Sequence, residues 1–117
     1  MRREVLLLGE MIAAGEQAQS LVSGVDLEAL ESDRIRRDAL LWNFTVLGEA
    51  SSQLDDEFKR QFPEVDWAKP AQLRNRIVHG YWSIDLEILH TTASDLLLNY
   101  VKDLRKVLTG VEKPAAG

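Results

Sequence analysis

The sequence predicts an all-α domain: an antiparallel bundle of four main helices, with a short extra helical turn before the third. Three observations predict it. Apolar residues recur at steps of three and four along almost the whole chain, and no stretch alternates long enough for a half-buried strand. No internal repeat or low-complexity tract suggests a stacked array. At 117 residues, 45% hydrophobic and 28% charged, the chain has material for one compact core and no second domain.

Leu7, Met11, Ala14, Ala18 and Leu21 step by four and three and carry the first helix. Leu8, Ile12 and Val22 widen the stripe, and the helix stops near Gly24. A polar, acidic connection follows from Asp26 to Glu31. Ser32 or Asp33 then caps a second helix whose seam is Leu40, Phe44, Leu47, Leu54 and Phe58, flanked by Trp42 and Val46. It ends before Pro63, because the residue preceding a proline is pushed out of helical geometry. Between Pro63 and Pro70, Asp66 can cap a single turn and Trp67 can plug the end of the bundle. The third helix runs from about Pro70 toward Gly80, with Leu73, Ile77 and Val78 inward. Asp85 caps the last helix, whose inward rhythm is Leu86, Leu89, Ala93, Leu96, Tyr100, Leu104 and Val107, and Gly110 stops it. One domain thus covers residues 1–110, and the VEKPAAG segment from Val111 reads as a frayed tail.

Composition narrows the function. With 14 Lys+Arg against 19 Asp+Glu the net charge is −5, which argues against indiscriminate coating of nucleic acid. The charge is unevenly spread: Lys59 to His79 holds five basic residues and two acids, so an acidic body bears one basic segment. That distribution suits a site gripping a few phosphates. Absence of cysteine excludes disulfide frameworks, zinc ribbons and thiolate chemistry, and makes a reducing cytoplasm the simplest home. Gly9 and Glu10 break the N-terminal run Val5 to Leu8, and no stretch approaches the roughly 20 apolar residues of a membrane span. The chain therefore reads as soluble and unexported.

Chemistry-bearing residues concentrate around the third helix. Gln72, Arg74, Asn75, Arg76, His79, Tyr81 and Trp82 crowd into eleven positions. Asn75 and His79 are four apart and share a helix face, whereas Arg74 lies about 140° round from His79. Arg74 shares a face with Tyr81 if the helix survives Gly80. Phosphodiester chemistry needs such groups: a guanidinium to neutralise phosphate oxygens and an imidazole to accept and return a proton. A phenol, an amide and the second guanidinium of Arg76 could position a substrate. The plainer reading is that His79 caps the helix C-terminus against its carbonyls, and an Arg-x4-His spacing alone is weak evidence. Glu49 is a second anomaly, a carboxylate on the apolar side of the second helix. Either it meets Arg74, Arg76 or Asn75, or it reaches solvent at the edge of the stripe. A metal site would have to join His79 and His90 to carboxylates such as Asp85 or Glu87, but no paired-ligand spacing occurs. Phosphate-binding glycine loops and serine nucleophile elbows are missing. His90, between Leu86 and Ala93, reads as a packed or interfacial side chain.

The segment LRNRIVHGYWSIDLEILH, Leu73 to His90, resembles the signature of the HepT-like proteins, a branch of the HEPN ribonuclease toxins with the motif Arg-x4-His-x-Tyr. Here the motif reads Arg74, Asn75, His79, Gly80, Tyr81. LGEAS, Leu47 to Ser51, resembles the Gly-Glu-Ala segment of the family's second helix, and FPEVDWAKPAQLRN resembles its proline and tryptophan linker. The likeness spans roughly residues 34 to 108 and departs at His90, where the family often carries an aromatic residue. It implies a HEPN-like helical toxin that cleaves RNA with Arg74 and His79, without metal or other cofactor, as a homodimer whose motif helices line one cleft. Asn75, Tyr81 and Arg76 would position substrate, and Glu49 would anchor the site from behind. It further implies an antitoxin partner, a minimal nucleotidyltransferase of the MntA type that adds AMP to Tyr81. A rival reading is a non-catalytic subunit that uses the same basic helix to hold a nucleotide or dock the nucleotidyltransferase.

Overall fold

The computed structural model describes residues 2–112, and among them all regular structure is helical. Helix α1 spans Arg2–Val22 and buries Leu8, Met11, Ile12, Ala14, Ala18 and Val22. It ends in a turn through Gly24, whose φ of +70° is a left-handed conformation that favours glycine.

The acidic connection is itself helical. Asp26 accepts a hydrogen bond from the Ala29 amide (2.8 Å) and starts α2, Leu27–Ser32, which buries Leu30 completely. Its six residues lie below the reach of periodicity, so only the cap and one apolar residue could have announced it. Asp33 then caps α3, Arg34–Gln53, by accepting from the Arg36 amide, and the Arg36 side chain ties this corner to the Leu21 carbonyl at 2.7 Å.

The expected second helix through Phe58 is broken. Leu54 is extended (φ −68°, ψ 139°), and a separate α4 covers Asp56–Gln61. The Ser52 hydroxyl donates back to the Glu49 carbonyl at 2.8 Å, the kind of local bond that competes with a helix, while Leu54 and Phe58 both stay buried. The buried Ser51 hydroxyl donates to the Trp67 carbonyl at 2.7 Å. Trp67 fills the end of the bundle edge-on to Phe58, and its indole N–H donates to the Phe62 carbonyl. Asp66 caps the motif helix directly, accepting from the amides of Ala68 and Lys69, so α5 (Ala68–Gly80) begins two residues before Pro70. The short helix ahead of the motif helix is therefore α4.

A 3-10 turn, Tyr81–Ser83, follows α5, and then comes α6, Leu86–Thr91, capped by Asp85. A π-helical turn over Thr92–Leu96 joins α6 to α7, Leu97–Glu112. The wide turn shifts the register: Leu97 and Val101 are buried where Leu96 and Tyr100 were expected to lead, and Leu96 is 60% exposed. Helix α7 passes Gly110 and reaches Glu112; residues 113–117 of the expected tail lie outside the described residues. Among the described residues no helix is long and apolar enough to cross a membrane.

Helix α1 lies between α3 and α7, and α5 packs on the far side of α3. Each neighbour is antiparallel to the next, as the bonds Arg3 to Gln53 and Arg36 to Leu21 record for α1 and α3. No comparable packing joins α5 to α7, so the bundle stays open along that edge. His90 turns inward to bond the Val25 carbonyl, holding α6 against the corner between α1 and α2.

Candidate functional site

Helices α3 and α5 approach unusually closely at Gly48. A Cβ built there would stand 2.3 Å from both Arg74 Cβ and the Pro70 carbonyl oxygen, inside any van der Waals contact. Glycine therefore lets the stem of Arg74 lie on the α3 backbone, next to Glu49.

The guanidinium is held from two sides. Arg74 Nη2 is 3.2 Å from Glu49 Oε2, and Nη1 donates to Asn75 Oδ1 at 2.9 Å. Glu49 is itself steadied by Gln53, which donates to Oε1 at 3.0 Å. The arginine and glutamate side chains are 32% and 45% exposed, so the pair adds little to stability and its main effect is to fix an orientation. Arg74 Nε is enclosed and has no hydrogen-bond partner among the described residues. Of the alternatives open for Glu49, the contact with Arg74 is the one present. Asn75 engages Arg74, whereas the sequence also offered it His79 as a partner one turn away.

His79 sits exposed on the last turn of α5 and makes no hydrogen bond or ion pair among the described residues, so it caps no carbonyl there. Arg74 leans on α3, about 140° round the helix from it, so one chain does not converge the two side chains. Arg76 lies on the side away from Arg74, facing the open edge of the bundle.

Tyr81 departs from the expected geometry. Helix α5 does not survive Gly80 (φ −148°, ψ 39°), and the 3-10 turn swings the phenol toward α3, where its hydroxyl donates a short hydrogen bond to Asp38. Asp38 also pairs with Arg34 at 3.6 Å. Trp82 stacks edge-on against Tyr81 and is 90% exposed; the two rings wall a hollow of about 230 Å³ with Arg34, Arg37 and Asp38. Sequence reasoning missed Asp38, although a signal existed. Asp38 and Glu49 are eleven residues apart, three helical turns, so one edge of α3 carries both carboxylates that receive motif residues, Arg74 from α5 and Tyr81 from the 3-10 turn after it.

The Asp38 hydrogen bond raises the Tyr81 pKa, because the carboxylate accepts the phenolic proton and opposes a neighbouring negative charge; burial adds to the rise. Tyr100, the only other tyrosine, is raised further by burial and ionises later. In Asp38→Ala the onset of tyrosinate absorbance is therefore expected at lower pH than in the wild type. An unmoved titration curve would show that the contact does not form in solution.

Among the described residues, no three His, Cys, Asp or Glu side chains gather to hold a metal ion. His90, the second histidine of the weighed metal set, is committed to Val25.

A family model described as "Ribonuclease HepT-like" matches residues 11–109. The chain is 28% identical over 80 residues to "Putative RNase MJ0127" of Methanocaldococcus jannaschii, covering 68% of this chain and 66%, just under two thirds, of that protein. It is 26% identical over 88 residues to "Probable ribonuclease HepT" of Thermococcus cleftensis, covering 75% and 80% respectively. No solved structure matches.

Proposed function

Because the chain belongs to the HepT-like ribonuclease family, we propose that it is the toxin of a toxin–antitoxin pair, a metal-independent endoribonuclease acting through Arg74 and His79. The observation that carries this reading is the guanidinium of Arg74, pinned by Glu49 and Asn75 on the same helix that presents an unengaged His79 to solvent. The RNA 2′-oxygen attacks its own phosphorus and the P–O5′ bond breaks, leaving a 2′,3′-cyclic phosphate. His79 takes the 2′-hydroxyl proton, and a proton is returned to the departing 5′-oxygen. Arg74 neutralises charge building on the phosphoryl oxygens, which a fixed guanidinium does without reorganising. Asn75 and Arg76 position the strand, and Glu49 acts through Arg74.

A homodimer completes the cleft. Trp42 is one turn from Asp38 and two from Glu49, and Val78 is one turn from Arg74, so exposed apolar residues flank the arginine on both helices. Ile35, Trp42, Val78 and Trp82 are 85%, 65%, 50% and 90% exposed. Pairing this face with its twofold copy buries them and brings the Arg74 and His79 of both copies to one cleft. Tyr81 is the residue an MntA-type nucleotidyltransferase antitoxin modifies: Asp38 accepts its proton, and an AMP phosphate there finds Arg34 and Arg37 in the adjoining hollow. The bulky anion then obstructs substrate phosphate near His79.

The direct test is purified protein with single-stranded RNA in excess EDTA. Cleavage leaving 2′,3′-cyclic ends, no cleavage of DNA of the same sequence, and elution as a dimer are expected. RNA left intact by a dimer that still binds the nucleotidyltransferase would favour the docking subunit instead.

A further inference from the structure

The side of α5 turned away from Arg74 borders the open edge of the bundle. There the groove between α5 and the α6–α7 arm holds a cavity of about 400 Å³, within the roughly 300–1,000 Å³ usual for small-ligand pockets. Leu73, Ile88, Leu96 and the ring of Tyr100 line its apolar part. Ile88 and Leu96 remain 40% and 60% exposed, so apolar surface is left facing the groove. The α5 lip is basic, with Lys69 and Arg76.

Three features say what the groove could take. Lys69, Gln72, Arg76 and His79 follow one another at steps of three, four and three, so they form a single stripe about 15 Å long that ends at the imidazole. The Arg76 side chain makes no hydrogen bond or ion pair among the described residues, and there the Lys69 ammonium has only a 3.9 Å pair with Asp66, itself on the cavity rim. Finally, the π turn at Thr92–Leu96 moves Leu96 out of the buried rhythm and onto the groove. Such turns weaken a helix and occur frequently at functional sites.

We propose that this groove is a base-binding subsite for single-stranded RNA: one unstacked nucleobase sits against Leu73, Ile88, Leu96 and Tyr100, while neighbouring phosphates lie along Lys69 and Arg76 and lead the next phosphodiester to His79. The proposal rests on the ribonuclease reading above. Every base has a flat apolar face, so an apolar slot with one aromatic wall accepts it without demanding a particular sequence. The cations of the lip hold the backbone and set its register. A duplex keeps its bases stacked, so the subsite selects unpaired strands.

The test uses the full chain and a short fluorescent single-stranded RNA, with Leu96→Glu, Arg76→Glu and the control Lys102→Glu, whose site lies outside the groove. Leu96 is exposed, and unchanged thermal melting confirms that its replacement leaves the core intact. Loss of one base contact corresponds to roughly a ten-fold weakening. Leu96→Glu and Arg76→Glu are therefore expected to raise KM about ten-fold, with kcat within about two-fold of wild type and Lys102→Glu unaffected. An abasic nucleotide beside the cleavage site weakens the wild type by a similar factor and does not weaken Leu96→Glu further. If wild type cleaves RNA but both groove variants keep its KM, or the abasic penalty persists in full in Leu96→Glu, the subsite is wrong and the ribonuclease reading stands. A wild-type chain that neither binds nor cleaves RNA overturns both.

Discussion

His79→Ala is expected to slow RNA cleavage by about 10²–10⁴-fold, the usual contribution of a positioned acid–base group, while thermal stability and dimer formation stay at wild-type values. The imidazole is exposed and bonds to nothing among the described residues, so its removal leaves no buried group unpaired. This separates His79 from Arg74. Arg74→Ala removes a stem that packs on the α3 backbone, so it mixes structural loss with loss of chemistry. Arg74→Lys is the cleaner probe: it keeps one positive charge but loses the fork that reaches Glu49 and Asn75 together. Its rate should fall while its RNA affinity falls little. Cleavage by His79→Ala within about three-fold of wild type would remove the imidazole from the mechanism and shift attention to Arg76 and the groove.

How far the sequence discloses this molecule depends on whether a residue acts through periodicity or through a contact between helices. The apolar stripe of α1 was legible because Leu8, Met11, Ile12, Ala14, Ala18 and Val22 repeat over about four turns and all face the core. The cap of α3 at Asp33 and the plugging role of Trp67 were legible from local chemistry. Local chemistry also misled. Leu54 and Phe58 keep the seam of α3, yet the backbone between them is extended, since burial of a leucine does not require it to be helical. Leu96 continued the stripe on paper, but the π turn puts Leu97 and Val101 inward in place of Leu96 and Tyr100 before the expected rhythm resumes at Leu104 and Val107, and nothing in the composition of TASDL announces it. Val78 illustrates the same limit: it was expected inward with Leu73 and Ile77, but one turn from Arg74 it lies outside the packed contact and is half exposed. In the site, a contact of Glu49 with one of Arg74, Arg76 and Asn75 followed from face assignment as one of two alternatives, the other being solvent, and the structure selects Arg74. The capture of Tyr81 by Asp38 did not, because it depends on Gly80 ending the α-helix.

Gly48→Ala is expected to be the most disruptive single-methyl change in the chain, and it locates the link between sequence and site. The added Cβ meets the Pro70 carbonyl oxygen and Arg74 Cβ at 2.3 Å, and neither is the free end of a flexible side chain. Relief requires α5 to move off α3 as a unit, because Pro70 and Arg74 occupy successive turns of one helix. Overpacking of this kind costs about 1–3 kcal/mol, occasionally more, and the displacement also parts Arg74 from Glu49. Gly9→Ala is the matched control: it adds the same methyl to α1 where, beyond its chain neighbours and the backbone of its own helix, no described atom lies within 4 Å. Replacing an exposed helical glycine by alanine stabilises by roughly 0.5–1 kcal/mol. Urea unfolding should therefore move the two midpoints in opposite directions, and RNA cleavage should fall only in Gly48→Ala. If Gly48→Ala unfolds at the wild-type midpoint and retains full cleavage, the close approach of α3 and α5 is not what holds Arg74 in place. Gly48→Ser, which adds a hydroxyl to the same Cβ, should then be tolerated as well. If the close packing is real, Gly48→Ser fails as Gly48→Ala does, because the clash begins at the first side-chain atom and no choice of rotamer avoids it.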